Sequence, residues 1–266
     1  MRPHTSRPAR TALVTGAASG IGACAAATFA SRGTRVAAVD CDTDRLLALA
    51  RNTPGITAYP CDVADEAAVQ ATTRCVRDDL GPIDTVFHSA GIIRIGRLLQ
   101  QPTADIEHVL RVNYLGTVHI AKATVPDMIS QGHGRLSVVA SIAGWLPMPD
   151  VGAYSASKAA ILSFCEVLAA ECRGTGVTIT CACPPAVETP LLDHVRRTHP
   201  HAVSAKRGIA PHTVLAAIEH SHAKGRPFAF PGRGTTAVWR ARRLAPTLLG
   251  RTLESLVKHQ AAKRPD

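Results

Sequence analysis

The sequence predicts an α/β fold: one domain built on a doubly wound parallel sheet of about seven strands, with helices on both faces. Three observations carry this reading. Short apolar runs alternate along the chain with Ala- and Leu-rich stretches of helical period, as strand–helix–strand units require. The runs are apolar on both alternating faces, as in Ala12-Leu13-Val14 and Val36-Ala37-Ala38-Val39, which suits strands covered on both sides. The first run leads through a glycine-rich turn straight into an Ala-rich helical segment.

The expected strands, in order, are Thr11–Thr15, Arg35–Asp40, Ile56–Pro60, Thr85–Ser89, Leu136–Ala140, Thr178–Cys183 and Pro227–Pro231. No internal repeat or linker divides them, and Pro184-Pro185 reads as a local turn. Residues 1–10, basic and Pro-rich, read as a mobile tail ahead of a single domain over 11–266. Its last part, 235–266, is a basic extension of helical pattern.

Hydrophobic residues are 46% of the chain and aromatics only 4%, so aliphatic side chains and Ala must fill a large core. No stretch reaches the roughly 18–20 apolar residues of a membrane span. Thr11–Val14 is too short for a signal-peptide core of roughly 7–15 residues, so a cytoplasmic protein is expected. The eight cysteines (Cys24, Cys41, Cys61, Cys75, Cys165, Cys172, Cys181 and Cys183) form no CxxC pair. They read as buried reduced thiols, with no metal site. Net charge is −1 over residues 1–193 and +11 over 194–266, so the basic character belongs to the C-terminal quarter.

The glycine turn is Thr15-Gly16-Ala17-Ala18-Ser19-Gly20-Ile21-Gly22. Glycines there let the backbone turn tightly and admit a pyrophosphate, and the helix that follows presents unpaired N–H groups to the anion. Asp40 closes the second strand, 18 residues after Gly22. A carboxylate there can accept hydrogen bonds from both adenosine ribose hydroxyls and would repel the extra phosphate of NADP. Cys41 rather than Arg or Lys follows it, and Ser19 is not basic, so NAD is the expected cofactor. The plainer role for Asp40 is to cap the next helix, which Asp42 or Thr43 can equally do.

Tyr154-Ser155-Ala156-Ser157-Lys158 heads a helical segment, and the spacing of four puts Tyr154 and Lys158 on one face. A phenol is a poor base near neutrality, but an adjacent ammonium favours the phenolate. The expectation is a Tyr154 of lowered pKa that exchanges a proton with substrate. Ser141 ends the fifth strand, thirteen residues earlier, where ligands of such sheets bind, and its hydroxyl can align a substrate oxygen.

With these parts in this order, residues 11–231 resemble the short-chain dehydrogenase/reductase family, whose fold is a Rossmann-type sheet. The resemblance rests on Thr15–Gly22, Asp40, Asp62-Val63, Ala90-Gly91, Asn113, Ser141, Tyr154, Lys158 and Pro184 to Thr189. It implies that Tyr154 is the general acid/base, that Lys158 also holds the nicotinamide ribose, and that Ser141 orients the substrate oxygen. It implies further that Asn113 supports a water linking Lys158 to solvent. Asp62 and Val63 would flank the adenine, Ser89, Ala90 and Gly91 would line the groove, and Pro184, Val187 and Thr189 would meet the nicotinamide end. The family's usual Asn-Asn-Ala-Gly is here His88-Ser89-Ala90-Gly91, and a neutral His88 can replace the amide's hydrogen bonds. Its usual Pro-Gly is Pro184-Pro185, which restricts the backbone there. The last strand lacks the family's frequent acidic-Gly-Gly ending. A homo-oligomer, dimer or tetramer, is therefore expected without assuming the commonest tetramer.

Trp145, Leu146, Pro147 and Met148 before Tyr154, and Leu191 and Leu192 after Thr189, offer an apolar wall. It suits a terpenoid, steroid or lipid-like alcohol or ketone, and these residues can equally pack against helices or a second subunit. Asp193 to Gly208 reads as a polar lid. In the basic extension, Trp239, Leu244, Leu248, Leu249, Leu253, Leu256 and Val257 alternate with arginines around Pro246. This suits packing with a solvated basic face, an anionic membrane surface, an acidic carrier protein or a cover for the cleft. Nucleic-acid binding has no motif behind it. The expected activity is NAD-dependent interconversion of an apolar secondary alcohol and its ketone, of the kind that natural-product biosynthesis uses. The alternatives are a 3-oxoacyl carrier-protein reductase and a non-catalytic NAD-binding sensor or scaffold.

Overall fold

The structure, a computed structural model, describes residues 10–146, 148–200 and 207–244. Residues 1–9 of the expected tail, Pro147, part of the expected lid (201–206) and the extension from 245 onward lie outside the described residues.

The elements run β1 (Thr11–Thr15), α1 (Gly20–Ser31), β2 (Arg35–Asp40), α2 (Thr43–Asn52), β3 (Ile56–Pro60), α3 (Glu66–Leu80) and β4 (Ile83–His88). They continue with α4 (Thr103–Leu110), a π-helical turn (Arg111–Leu115), α5 (Gly116–Gln131), β5 (Gly134–Val139), a 3₁₀ turn (Ile142–Gly144), α6 (Gly152–Glu171) and β6 (Val177–Ala182). Last come α7 (Pro190–Thr198), α8 (Pro211–Ala223), β7 (Phe228–Ala229) and α9 (Thr235–Leu244).

The seven strands form one sheet in the order β3-β2-β1-β4-β5-β6-β7, and every pair is parallel. All five residues of β1 are buried between β2 and β4. One face of the sheet packs against α3, α5 and α6 through Val69, Val76, Ile120, Met128, Ile161 and Cys165. The other packs against α1, α2 and α8 through Ala25, Ala26, Leu46, Val214 and Ile218. The expected doubly wound α/β architecture is the observed one. Chain order reverses between β1 and β4, the place where such sheets open a crevice beyond their carboxyl ends.

Local chemistry sets the helix ends. Asp42 and Asp65 accept from the amides of Arg45 and Ala68 and cap α2 and α3, so Asp42, and not Asp40, is the cap of α2. The first three strands have the expected bounds, and β4, β5 and β6 begin and end one or two residues early. The seventh is a correction: β7 is two residues, not five. Pro227 and Pro231 flank it and have no N–H to pair. Of the cysteines, all are free, five are buried, Cys24 is half-buried, and Cys41 and Cys75 are exposed, contrary to expectation. Part of the expected lid is ordered as α7, with Thr189 as its cap and Pro190 as its first residue.

Candidate active site

The ends of β1, β2, β4, β5 and β6 converge on one cleft with two halves of about 1060 and 990 Å³. Ile21, Ser89, Gly91, Thr189 and Leu191 belong to both, so the halves are continuous.

The first half is the glycine loop and its surroundings: Gly16, Ser19, Gly20, Ile21, Gly22, Asp40, Asp62, Val63, Ala90 and Gly91. Gly16 and Gly20 have positive φ, 67° and 55°. A Cβ on Gly22 would stand 2.1 Å from the Gly16 carbonyl oxygen, and one on Gly16 would stand 2.7 Å from the Ala90 amide. Only glycine fits at either place. Ser19 makes no side-chain bond to the first turn of α1, which also carries no acid, so that helix end is open to an anion. A dinucleotide's pyrophosphate fits this donor set and this bare backbone. Asp40 accepts the Ala18 amide on one oxygen (3.0 Å) and the Asp42 amide on the other (2.9 Å). Its carboxylate is thus fixed at the cleft wall, with a lone pair left on each oxygen.

Thr15 is placed differently from expectation. It is fully buried and does not line the cleft. Its hydroxyl lies 2.7 Å from His88 Nδ1 and accepts from the amides of Ser89 (3.3 Å) and Ala90 (3.4 Å), tying β1 to the end of β4. Burial, and after it the charge of Lys158, holds His88 down to about 3, so the imidazole is neutral.

The second half holds Ser141, Tyr154 and Lys158 among Ile93, Ile142, Ala143, Met148, Val151, Pro184, Pro185, Val187, Leu192 and Val195. Tyr154 and Lys158 sit one turn apart on α6, with Lys158 Nζ 5.6 Å from the Tyr154 ring centroid. Lys158 is 5% exposed and donates to the Val139 carbonyl at 2.9 Å. Burial lowers it to about 8. Tyr154 departs from expectation. Burial raises its pKa, against the lowering effect of the Ser141 hydrogen bond, so without cofactor it is a phenol. Ser141 Oγ accepts the Ala143 amide at 3.1 Å, which leaves its proton for donation.

Asn113, in the π-helical turn, is fully buried and also lies behind the wall. Its amide takes Ile92 N (2.8 Å) and gives to Ile92 O and Ser157 Oγ (both 2.9 Å). A Cβ on Gly91 would lie 3.1 Å from Asn113 Oδ1 and 3.4 Å from Lys158 Nζ, so this glycine lets the two groups face each other.

Two expected substrate residues are corrected. Trp145 and Leu146 do not line the cleft, because the 3₁₀ turn carries them past it: the Trp145 and Leu146 amides both bond back to Ile142 O. Met148 and Leu191 do line it.

The sequence model described as short chain dehydrogenase matches residues 10–200. The chain belongs to the short-chain dehydrogenase family. D-threitol dehydrogenase of Mycolicibacterium smegmatis is 38% identical over 186 residues, 68% of this chain and 72% of that one. 1-Deoxy-11-beta-hydroxypentalenate dehydrogenase of Streptomyces exfoliatus is 32% identical over 228 residues, 83% and 82%. The crystal structure of a short chain dehydrogenase/reductase from Burkholderia phymatum in complex with NAD superposes with a TM-score of 0.82 at 26% identity, covering 91% of this chain and 95% of that one.

In this short-chain dehydrogenase several wall residues escaped the sequence reading: Cys41, Cys61, Ile92, His108 and Val112 in the first half, and Ile93, Val151 and Val195 in the second. His108 and Val112 are four apart near the end of α4 and in the π-helical turn, a helical spacing that carried no signal without knowing which face the cleft takes.

Proposed function

We propose that the protein is an NAD-dependent dehydrogenase that interconverts an apolar secondary alcohol and its ketone. The observation that carries this is the convergence of Ser141, Tyr154 and Lys158 on the apolar half of a cleft whose other half is the glycine cradle.

Gly16, Ser19, Gly20, Ile21 and Gly22 would hold the pyrophosphate, Asp40 the adenosine ribose, Asp62 and Val63 the adenine, and Lys158 the nicotinamide ribose. Ser89, Ala90, Gly91, Pro184, Val187 and Thr189 would line the groove, with Thr15 and Asn113 supporting it from behind. The cofactor supplies the hydride acceptor or donor. Ser141 turns its hydroxyl proton to the substrate oxygen and fixes it beside the Tyr154 hydroxyl. In ketone reduction Tyr154 gives its phenolic proton to that oxygen, and in alcohol oxidation a Tyr154 phenolate takes the hydroxyl proton. The nearby Lys158 ammonium eases formation of that phenolate. A phenol of raised pKa sets the pH response: oxidation speeds up as pH rises and reduction slows, and both arms weaken as Lys158 loses its proton near pH 8.

Asp40 favours NAD because a phosphate on the ribose would meet a fixed carboxylate, and Cys41 rather than Lys or Arg follows it in the chain. The apolar walls favour a ring or chain alcohol with few polar anchors, and the Streptomyces exfoliatus relative is named as the dehydrogenase of a hydroxypentalenate.

The test is titration with NADH and NADPH, then a screen of apolar secondary alcohols with NAD. Tight NADH and weak NADPH binding, with discrimination lost in D40N, is the expected result. Y154F should lose turnover by about 10³-fold while still binding cofactor. Tighter NADPH binding would overturn the use of Asp40 and favour the 3-oxoacyl carrier-protein reductase. Full biological function in Y154F would leave only the sensor or scaffold reading.

A further inference from the structure

We infer that helix α9 is a docking surface for an anionic lipid bilayer. Among the described residues the helix is held to the body through Thr235 and Trp239. Thr235 Oγ1 donates to Pro231 O at 2.9 Å, and Trp239 packs its ring 4.8 Å from that of Phe230 and 6.4 Å from that of Phe228. Thr235 and Trp239 therefore mark the face turned to the protein.

On the far side Ala237, Val238, Ala241 and Leu244 are all exposed, Leu244 to 85%. Their spacing of one, three and three places them on one strip of the helix surface. Arg240 and Arg243 flank that strip on one side and Arg242 on the other, with Arg243 stacked over Trp239 at 5.2 Å. An apolar strip with guanidinium groups along its borders, set on a helix held to the body by an aromatic anchor, is the arrangement of a helix lying in a headgroup layer. Next to it a cleft of about 1130 Å³, walled in part by Phe228, Phe230, Trp239, Arg226 and Arg240, repeats the same pairing of aromatic and cationic groups.

Charge selects the occupant. No acidic residue stands between Glu219 and Glu254, whereas Lys224, Arg226, Arg233, Arg240, Arg242 and Arg243 fall within 220–244. A second copy docked by the same strip would set these arginines against their own equivalents, at a cost from like-charge repulsion. Two of the strip's four side chains are alanine, and it offers no aromatic or arginine anchor of the kind that dominates contacts with a folded partner. An anionic headgroup layer supplies counter-charge to Arg240 and Arg243 and a shallow apolar zone to the strip.

The test is co-sedimentation of the full chain with vesicles of phosphatidylcholine, alone or with phosphatidylglycerol. Binding is expected only to the anionic vesicles, with release as salt rises from about 0.05 to about 0.5 M. R240E/R243E should weaken it by roughly tenfold or more, each arginine near such a surface being worth about fivefold. V238D/A241D, exposed positions whose change leaves cofactor binding and melting temperature intact, should abolish it. Equal binding to neutral vesicles, no binding to anionic ones, or binding untouched by both variant pairs would overturn the inference. So would a V238D/A241D protein that halves its particle mass and keeps its vesicle binding, since the strip would then be a subunit contact.

Discussion

Lys158 keeps its ammonium almost out of water, held on the Val139 carbonyl. Its folded pKa of about 8 lies below its ordinary 10.5, so the unfolded chain binds the extra proton between those values. Stability therefore rises with pH across that window, and the burial penalty is fully present below it. K158M is expected to match or exceed the parent's stability at pH 7, by roughly 1–2 kcal/mol after the carbonyl loses its donor. It should lose turnover at the same time; a K158M protein that melts several degrees lower would refute this. Gly22→Ala should abolish cofactor binding, because the added methyl would stand 2.1 Å from the Gly16 oxygen. At this scale the sequence was most legible where chemistry is local. Tyr154 and Lys158 announce themselves by their spacing and Gly16–Gly22 by their context. Trp145 was misplaced because one 3₁₀ turn, silent in the pattern, decides which way its loop faces. The upward shift at Tyr154 was missed because burial is a property of the packed cleft, not of the pair.

Among the elements, α8 is tied to the sheet by a half-buried histidine as well as by its apolar face. His222 lies 2.9 Å from Ser137 Oγ on β5 and 3.2 Å from Thr180 Oγ1 on β6. Burial lowers it to about 4 from 6.5. Its contribution is complete above pH 6.5 and is lost as pH falls to about 4, a loss of roughly 2 kcal/mol. Chemical denaturation of H222L across pH 4–7 should show a flatter slope than the parent and lower stability at pH 7, where two buried hydroxyls have lost their partner. An unchanged slope would remove His222 as the cause. α7 depends on Glu188, which takes both terminal nitrogens of Arg196 (2.8 and 3.0 Å) and the Gly208 amide, joining α7 to the segment after 207. E188A should raise the substrate KM several-fold and leave the melting temperature within a few degrees, since the pair is partly exposed. These ties lay beyond sequence reading because each links residues whose proximity only the fold creates: Ser137 and His222 are 85 positions apart.

For the molecule as a whole, the sheet order dictates a gradient of stability. β1 is covered on both faces and paired on both edges, whereas β7 closes the sheet with two residues. Native-state hydrogen exchange should find the β1 and β4 amides opening only with global unfolding and those of β7 opening far sooner. Equal protection would mean the edge is held by something other than its pairing. The α/β class and the first three strands were legible because buried parallel strands leave unbroken apolar runs between glycine and polar stops. The length of β7 was not, since Phe228 and Phe230 look alike until Phe230 is seen packed at a tilt against Trp239. The central place of β1 also shapes the birth of the protein. β1 needs β4 as a neighbour, and Thr15 meets His88 across 73 positions of chain. A nascent chain therefore carries an unsealed β1 edge until β4 has been made. Its folding should be slow and should favour a chaperone's shelter, a consequence of a central strand whose partner lies so far along the chain.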